Sequence, residues 1–142
     1  MFSKEESRKI REEFWTSFGK SFPRKWILYN TKIKGFAFKF HIDTKKALVA
    51  LDIVDDLENR ITYWEKLLAM KRILQDEFLP EAIFEETYFL ENGKELSRIY
   101  VPLRAKVSIH NKNSWREVME FFNEKMSLLE AFFEDYKDII KI

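Results

Sequence analysis

The amino-acid sequence predicts an α+β domain of order αββαββα, with two antiparallel hairpins in one four-stranded sheet and three amphipathic helices. Three observations carry this reading. Large apolar residues recur every four positions at Ile10, Phe14, Phe18 and Phe22, the spacing of a single helical face. Phe36, Phe38, Phe40 and Ile42 alternate strictly with Ala37, Lys39 and His41, the period of a half-buried strand. Asn92-Gly93 separates two later strand-like runs and marks a hairpin, because both residues tolerate positive φ.

The elements follow in order. Ser3 and Glu6 form a capping-box pattern ahead of the first helix, and Pro23 ends it by fixing φ and removing a donor. Residues 24–35 read as an irregular loop. Asp43-Thr44-Lys45-Lys46 is a tight turn, and Ala47 to Val54 is the return strand, interrupted by Asp52. Asp55 or Asp56 caps the second helix. Leu57, Ile61, Trp64 and Leu68 mark its buried stripe, which continues through Met70, Leu74 and Phe78 to a stop at Pro80. Residues 82–90 and 95–109 are the third and fourth strands. In the fourth, Ile99, Val101, Leu103, Ala105, Val107 and Ile109 line one face, and Arg98, Tyr100, Arg104, Lys106 and Ser108 the other. Pro102 removes a ladder donor, which places this strand at an edge or in a bulge. Ser114 and Glu117 repeat the capping box before the third helix, whose stripe is Val118, Phe122, Leu129, Phe133, Tyr136 and Ile140. With no low-complexity spacer, residues 1–142 read as one domain.

Composition narrows the function classes. Hydrophobic residues make up 46% and aromatics 16%, which supports a packed core rather than disorder. The chain has no cysteine, so disulfides, a thiol nucleophile and thiolate metal sites are excluded. The charged N-terminus lacks the apolar core of a signal peptide, and no apolar run reaches the roughly 20 residues of a membrane helix. A cytoplasmic protein without membrane contact is expected. Net charge is only +1, yet it is segregated: residues 23–46 carry seven basic residues and one acidic, and residues 98–116 carry five basic and none acidic. Residues 47–97 carry twelve acidic residues against five basic.

Four constellations can carry chemistry. The loop from Arg24 to Gly35 sets Trp26 and Tyr29 among Arg24, Lys25, Lys32 and Lys34, a composition suited to gripping phosphate or a single strand. The plainer alternative is that both aromatics pin the loop to the core while the lysines stay solvated. The polar sheet face, with Lys39, His41, Arg98, Tyr100, Arg104 and Lys106, suits phosphate contact and base stacking if no helix covers it. Asp52 with Glu85 or Glu86 is the nearest approach to a nuclease metal site, but no Glu-x-Lys follows, since Glu91-Asn92-Gly93-Lys94 has the wrong spacing. His41-Ile42-Asp43 places two potential ligands on one side of a strand, where a surface histidine beside a turn is the plainer reading. Three glycines cannot build a phosphate cradle. No cofactor, metal site or catalytic residue is expected. The adjacent pairs Phe121-Phe122 and Phe132-Phe133 widen the apolar arc of the last helix, which implies burial on two sides or a homodimer seam.

Four stretches carry a family resemblance: Trp15-Thr16-Ser17-Phe18-Gly19, Trp26-Ile27-Leu28-Tyr29-Asn30-Thr31-Lys32-Ile33-Lys34, Ser97-Arg98-Ile99-Tyr100 and Asn111-Lys112-Asn113-Ser114-Trp115. They are similar to a bacterial family of unknown function whose members occur alone or C-terminal to nuclease-like domains. The resemblance spans nearly the whole chain and carries over no catalytic residues. It implies nucleic-acid-linked work. Together with the basic segments, it favours a non-catalytic module that contacts nucleic acid through Trp26, Tyr29, Lys32, Lys34, Arg98 and Arg104, with a nuclease-like partner protein. A protein–protein or homodimerisation module is the alternative, and a metal-dependent nuclease-like enzyme comes third.

Overall fold

The computed structural model describes residues 2–141. Four strands, β1 (Phe36–Ile42), β2 (Ala47–Ile53), β3 (Ile83–Phe89) and β4 (Glu95–Pro102), form one antiparallel sheet in the order β1-β2-β4-β3. Four α-helices accompany it: α1 (Lys4–Ser21), α2 (Leu57–Ala69), α3 (Lys71–Glu77) and α4 (Trp115–Ile140). All pack on one side of the sheet, giving two layers. Phe40 of β1 meets Phe18 of α1 at 5.2 Å between ring centroids, Phe36 meets Tyr63 of α2 at 4.8 Å, and Phe38 meets Phe133 of α4 at 5.4 Å. Phe14, Phe38, Phe122 and Phe133 are almost wholly buried. Burial of each contributes about 2–3 kcal/mol.

Local chemistry starts and stops these elements much as expected. Ser3 and Glu6 make the full capping box of α1, and Phe22 closes it one residue before Pro23. Asp56 caps α2 by accepting from the Asn59 amide at 3.0 Å. Asp43 closes the first hairpin by accepting from the amides of Lys45 and Lys46. The second hairpin uses positive φ only at Gly93, not at Asn92. Ser114 does not cap α4 with its side chain; its hydroxyl donates to the carbonyls of Ser108 and Asn111 instead.

Three expectations need correction. The second helix is two helices, broken at Met70, whose backbone leaves the helical region at ψ 7° while its side chain is buried. Its buried stripe is also rotated: Arg60, Tyr63, Trp64 and Leu67 face inward, while Leu57, Ile61 and Leu68 are exposed. Finally, β4 is a central strand, not an edge, and its ladder stops at Pro102, the last residue paired to β2. Residues 103–109 run on without a ladder, and the irregularity lies in β3, between Glu85 and Tyr88. The doubled phenylalanines of α4 are absorbed inside the chain. Phe121 and Phe132 are buried, and Phe132 packs on Phe78 at 5.7 Å.

Candidate nucleic-acid interface

The sheet face turned away from the helices is polar and has its own architecture. The register sets Asp52, Arg98 and Glu85 in one row across β2, β4 and β3, and Lys39, Ala50 and Tyr100 in the next across β1, β2 and β4. Arg98 donates from Nε and Nη2 to the two carboxylate oxygens of Asp52 at 2.7 and 2.9 Å. The Tyr100 hydroxyl donates to Glu85 at 2.6 Å. Burial, reinforced by that carboxylate, pushes the Tyr100 hydroxyl up to about 12.

No helix among the described residues covers this face, yet Leu48, Ala50, Asp52, Leu96 and Arg98 are buried. The cover comes from the end of the β3–β4 hairpin. Past the bulge, Tyr88 lies 5.5 Å from the Tyr100 ring and 4.5 Å beneath the Arg98 guanidinium. Tyr88, Leu90 and Glu91 then enclose a cleft of about 90 Å³ with His41, Lys46, Leu48 and Arg98.

The loop before β1 is held from below. Buried Glu130 of α4 accepts from the Ile27 amide at 2.7 Å and from Arg24 at 2.9 Å. Burial pushes the Glu130 carboxyl up, and those two donors oppose the shift only in part. The Leu28 carbonyl accepts from the Phe38 amide, so the loop covers the free edge of β1. Trp26 is half-buried; it stacks on Phe18 at 6.3 Å and meets Phe40 at 5.3 Å, which anchors the loop to the core. Tyr29 is 72% exposed, its ring 4.1 Å from the Lys39 ammonium. Lys32 and Lys34 are exposed on either side of buried Ile33. Arg98, paired with Asp52 and 6% exposed, lines the hairpin cleft rather than the open basic surface. Arg104 is exposed beyond the end of β4.

The loop and β4 do not meet: β1 and β2 lie between them, a separation of roughly 14 Å at the usual strand spacing. The two basic segments converge elsewhere. Residues 103–109 run beside the β1–β2 turn, pinned where Leu103 donates to the Ala47 carbonyl and Ile109 to that of Asp43, both at 3.0 Å. A groove of about 290 Å³ results, lined by Thr44, Lys45, Lys106, Ser108 and Asn111. It shares Thr44 and Lys45 with a second groove of about 440 Å³ that reaches Arg11, Asp43 and His110. Asp43 is occupied by its turn amides and by His41 at 2.8 Å; burial would raise its carboxyl, but these donors win and hold it low. Lys45 and Lys106 carried a sequence signal, as members of the two basic segments. Arg11 and Tyr88 carried none.

Within the row Asp52–Arg98–Glu85, Arg98 stands between the two carboxylates. Among the described residues, no three His, Asp or Glu side chains gather in a metal-binding group.

These features define a two-layer α+β domain with helices on one sheet face and a polar, hairpin-covered second face. The chain belongs to the family described as Domain of unknown function (DUF4268), whose model matches residues 10–137. No curated protein and no solved structure matches it. No helix among the described residues is long and apolar enough to cross a membrane.

Proposed function

We propose that this domain is a non-catalytic module that binds nucleic acid along the groove beside the β1–β2 turn. The observation that carries the reading is the convergence of Lys45, from the first basic segment, with Lys106, from the second, in one polar groove continuous with Arg11. Cations spaced along a groove with hydroxyl and amide side chains between them suit a phosphodiester backbone. Exposed Tyr29, with Lys39 at its ring, adds a stacking surface at the edge of the neighbouring face. The same reading places the protein in the bacterial cytoplasm, beside a nuclease-like partner protein. Its test is binding to single- and double-stranded DNA at two salt concentrations. Affinity that falls steeply with salt is expected, and the absence of salt-sensitive binding near physiological ionic strength would overturn it.

A protein–protein role has one observation in its favour, and it is not the α4 seam. Leu57, Ile61 and Leu68 form an exposed stripe on α2. Light scattering on wild type and Ile61→Glu tests it: an assembly that the substitution disperses supports self-association, and a monomer throughout removes it.

A further inference from the structure

We propose that the cleft beneath the β3–β4 hairpin receives a terminal phosphate, so that the domain recognises the end of a nucleic-acid strand. This rests on the nucleic-acid reading above and goes beyond it by naming which part of the strand is held.

The size of the cleft sets the first constraint. Its volume of about 90 Å³ is small beside the grooves of about 290 and 440 Å³ and suits a compact group such as a phosphate. Tyr88, Leu90 and Glu91 line it from the hairpin side, opposite His41, Lys46 and Leu48 of the first hairpin, a narrow site that suits the end of a strand better than its middle.

The donors set the second. Arg98 is 6% exposed and lines the cleft. Asp52 takes its Nε and Nη2, so any donation into the cleft falls to Nη1. The bidentate pair and the Tyr88 ring hold the guanidinium still, so little side-chain freedom remains to be lost on binding. Lys46 lines the same cleft with no ion-pair partner among the described residues, and supplies the free cation there. A terminal monoester brings more charge and more free oxygens than an internal diester, and so uses convergent donors better.

Chain order links the two sites. Lys45 lines both grooves and its chain neighbour Lys46 lines the cleft, so the sites adjoin. Glu91 lines both the cleft and the groove that reaches Arg11, and it opposes an anion, which makes it a selectivity control on the same site.

The test compares three single strands of identical sequence, ending in a 5′-phosphate, a 3′-phosphate or hydroxyls only, by fluorescence anisotropy. One phosphorylated end is expected to bind about tenfold tighter than the hydroxyl-ended strand. Lys46→Ala is expected to abolish that preference while leaving hydroxyl-ended binding in place, and Glu91→Gln to widen it. Equal affinity of all three strands for wild type overturns the end-recognition proposal and leaves the groove reading standing. Failure of all three to bind overturns both. A phosphate preference that survives Lys46→Ala overturns the assignment to this cleft.

Discussion

Arg98 and Asp52 meet edge to edge across the two central strands, both nitrogen–oxygen pairs within 2.9 Å and both side chains out of solvent. A buried pair of this kind holds its partners in one geometry, and breaking it from either side strands a charge. Asp52→Ala is expected to destabilise the domain by about 3–5 kcal/mol in urea unfolding. The double replacement Asp52→Leu with Arg98→Met is expected to recover most of that loss, because no charge is left unpaired. A double variant no more stable than Asp52→Ala would show that the pair is not the organising contact of this face.

The loop before β1 rests on Glu130. Glu130→Ala leaves the Ile27 amide without its acceptor and is expected to cost about 1–3 kcal/mol, with the loss concentrated in residues 24–31 by hydrogen exchange. The carboxyl titrates higher in the folded chain than its usual 4.5, so the folded state holds the proton longer. Stability therefore falls as pH rises above about 4.5 and levels off once the folded group has ionised. Glu130→Gln is expected to flatten that part of the urea-midpoint profile. A slope unchanged by the substitution would assign it to another group.

Tyr100 should resist ionisation. Its hydroxyl, raised to about 12 by burial and by Glu85, favours the folded state below pH 10.0, and that stabilisation is lost as pH climbs toward the folded value. The difference between wild-type and Tyr100→Phe ultraviolet titrations is expected to show one late tyrosine. Glu85→Gln should bring it earlier, and an ordinary midpoint in wild type would contradict the buried hydrogen bond.

Two glycines give opposite outcomes. Gly35 sits at φ +82°, where an added Cβ would lie 2.8 Å from the Val54 carbonyl oxygen. Gly35→Ala is expected to cost about 1–3 kcal/mol. Gly19 lies within α1 with nothing within 4 Å of an added Cβ, so Gly19→Ala should stabilise by up to about 1 kcal/mol. Thermal unfolding of the two variants checks both signs.

The sequence was most legible where chemistry is local. The Ser3–Glu6 cap, the Asp43 turn, the alternation of β1 and the glycine at the second hairpin depend on neighbours along the chain. Distant contacts overruled it elsewhere. Arg60 took an inward position on α2 because Glu95, on β4, pairs with it at 2.8 Å, and this turned Leu57, Ile61 and Leu68 outward. Residues 103–109 kept the strand alternation, with Val107 and Ile109 buried, but found only the turn beside them. The burial of Trp26 and Arg98 was not legible, because an aromatic and a cation in a basic segment look alike whether buried or free. Their partners Phe18 and Asp52 are visible only in the fold. The hairpin's return over the polar face left no trace in periodicity, since it follows from the bulge between Glu85 and Tyr88.

The central claim is that the two basic segments meet as one working groove. The most direct measurement is the salt dependence of single-strand binding for wild type and for Lys45→Glu with Lys106→Glu. The double variant is expected to bind weakly and to flatten the plot of log affinity against log salt by about 1.4 units, about 0.7 per phosphate contact removed. An affinity and slope equal to wild type in a folded double variant would contradict it.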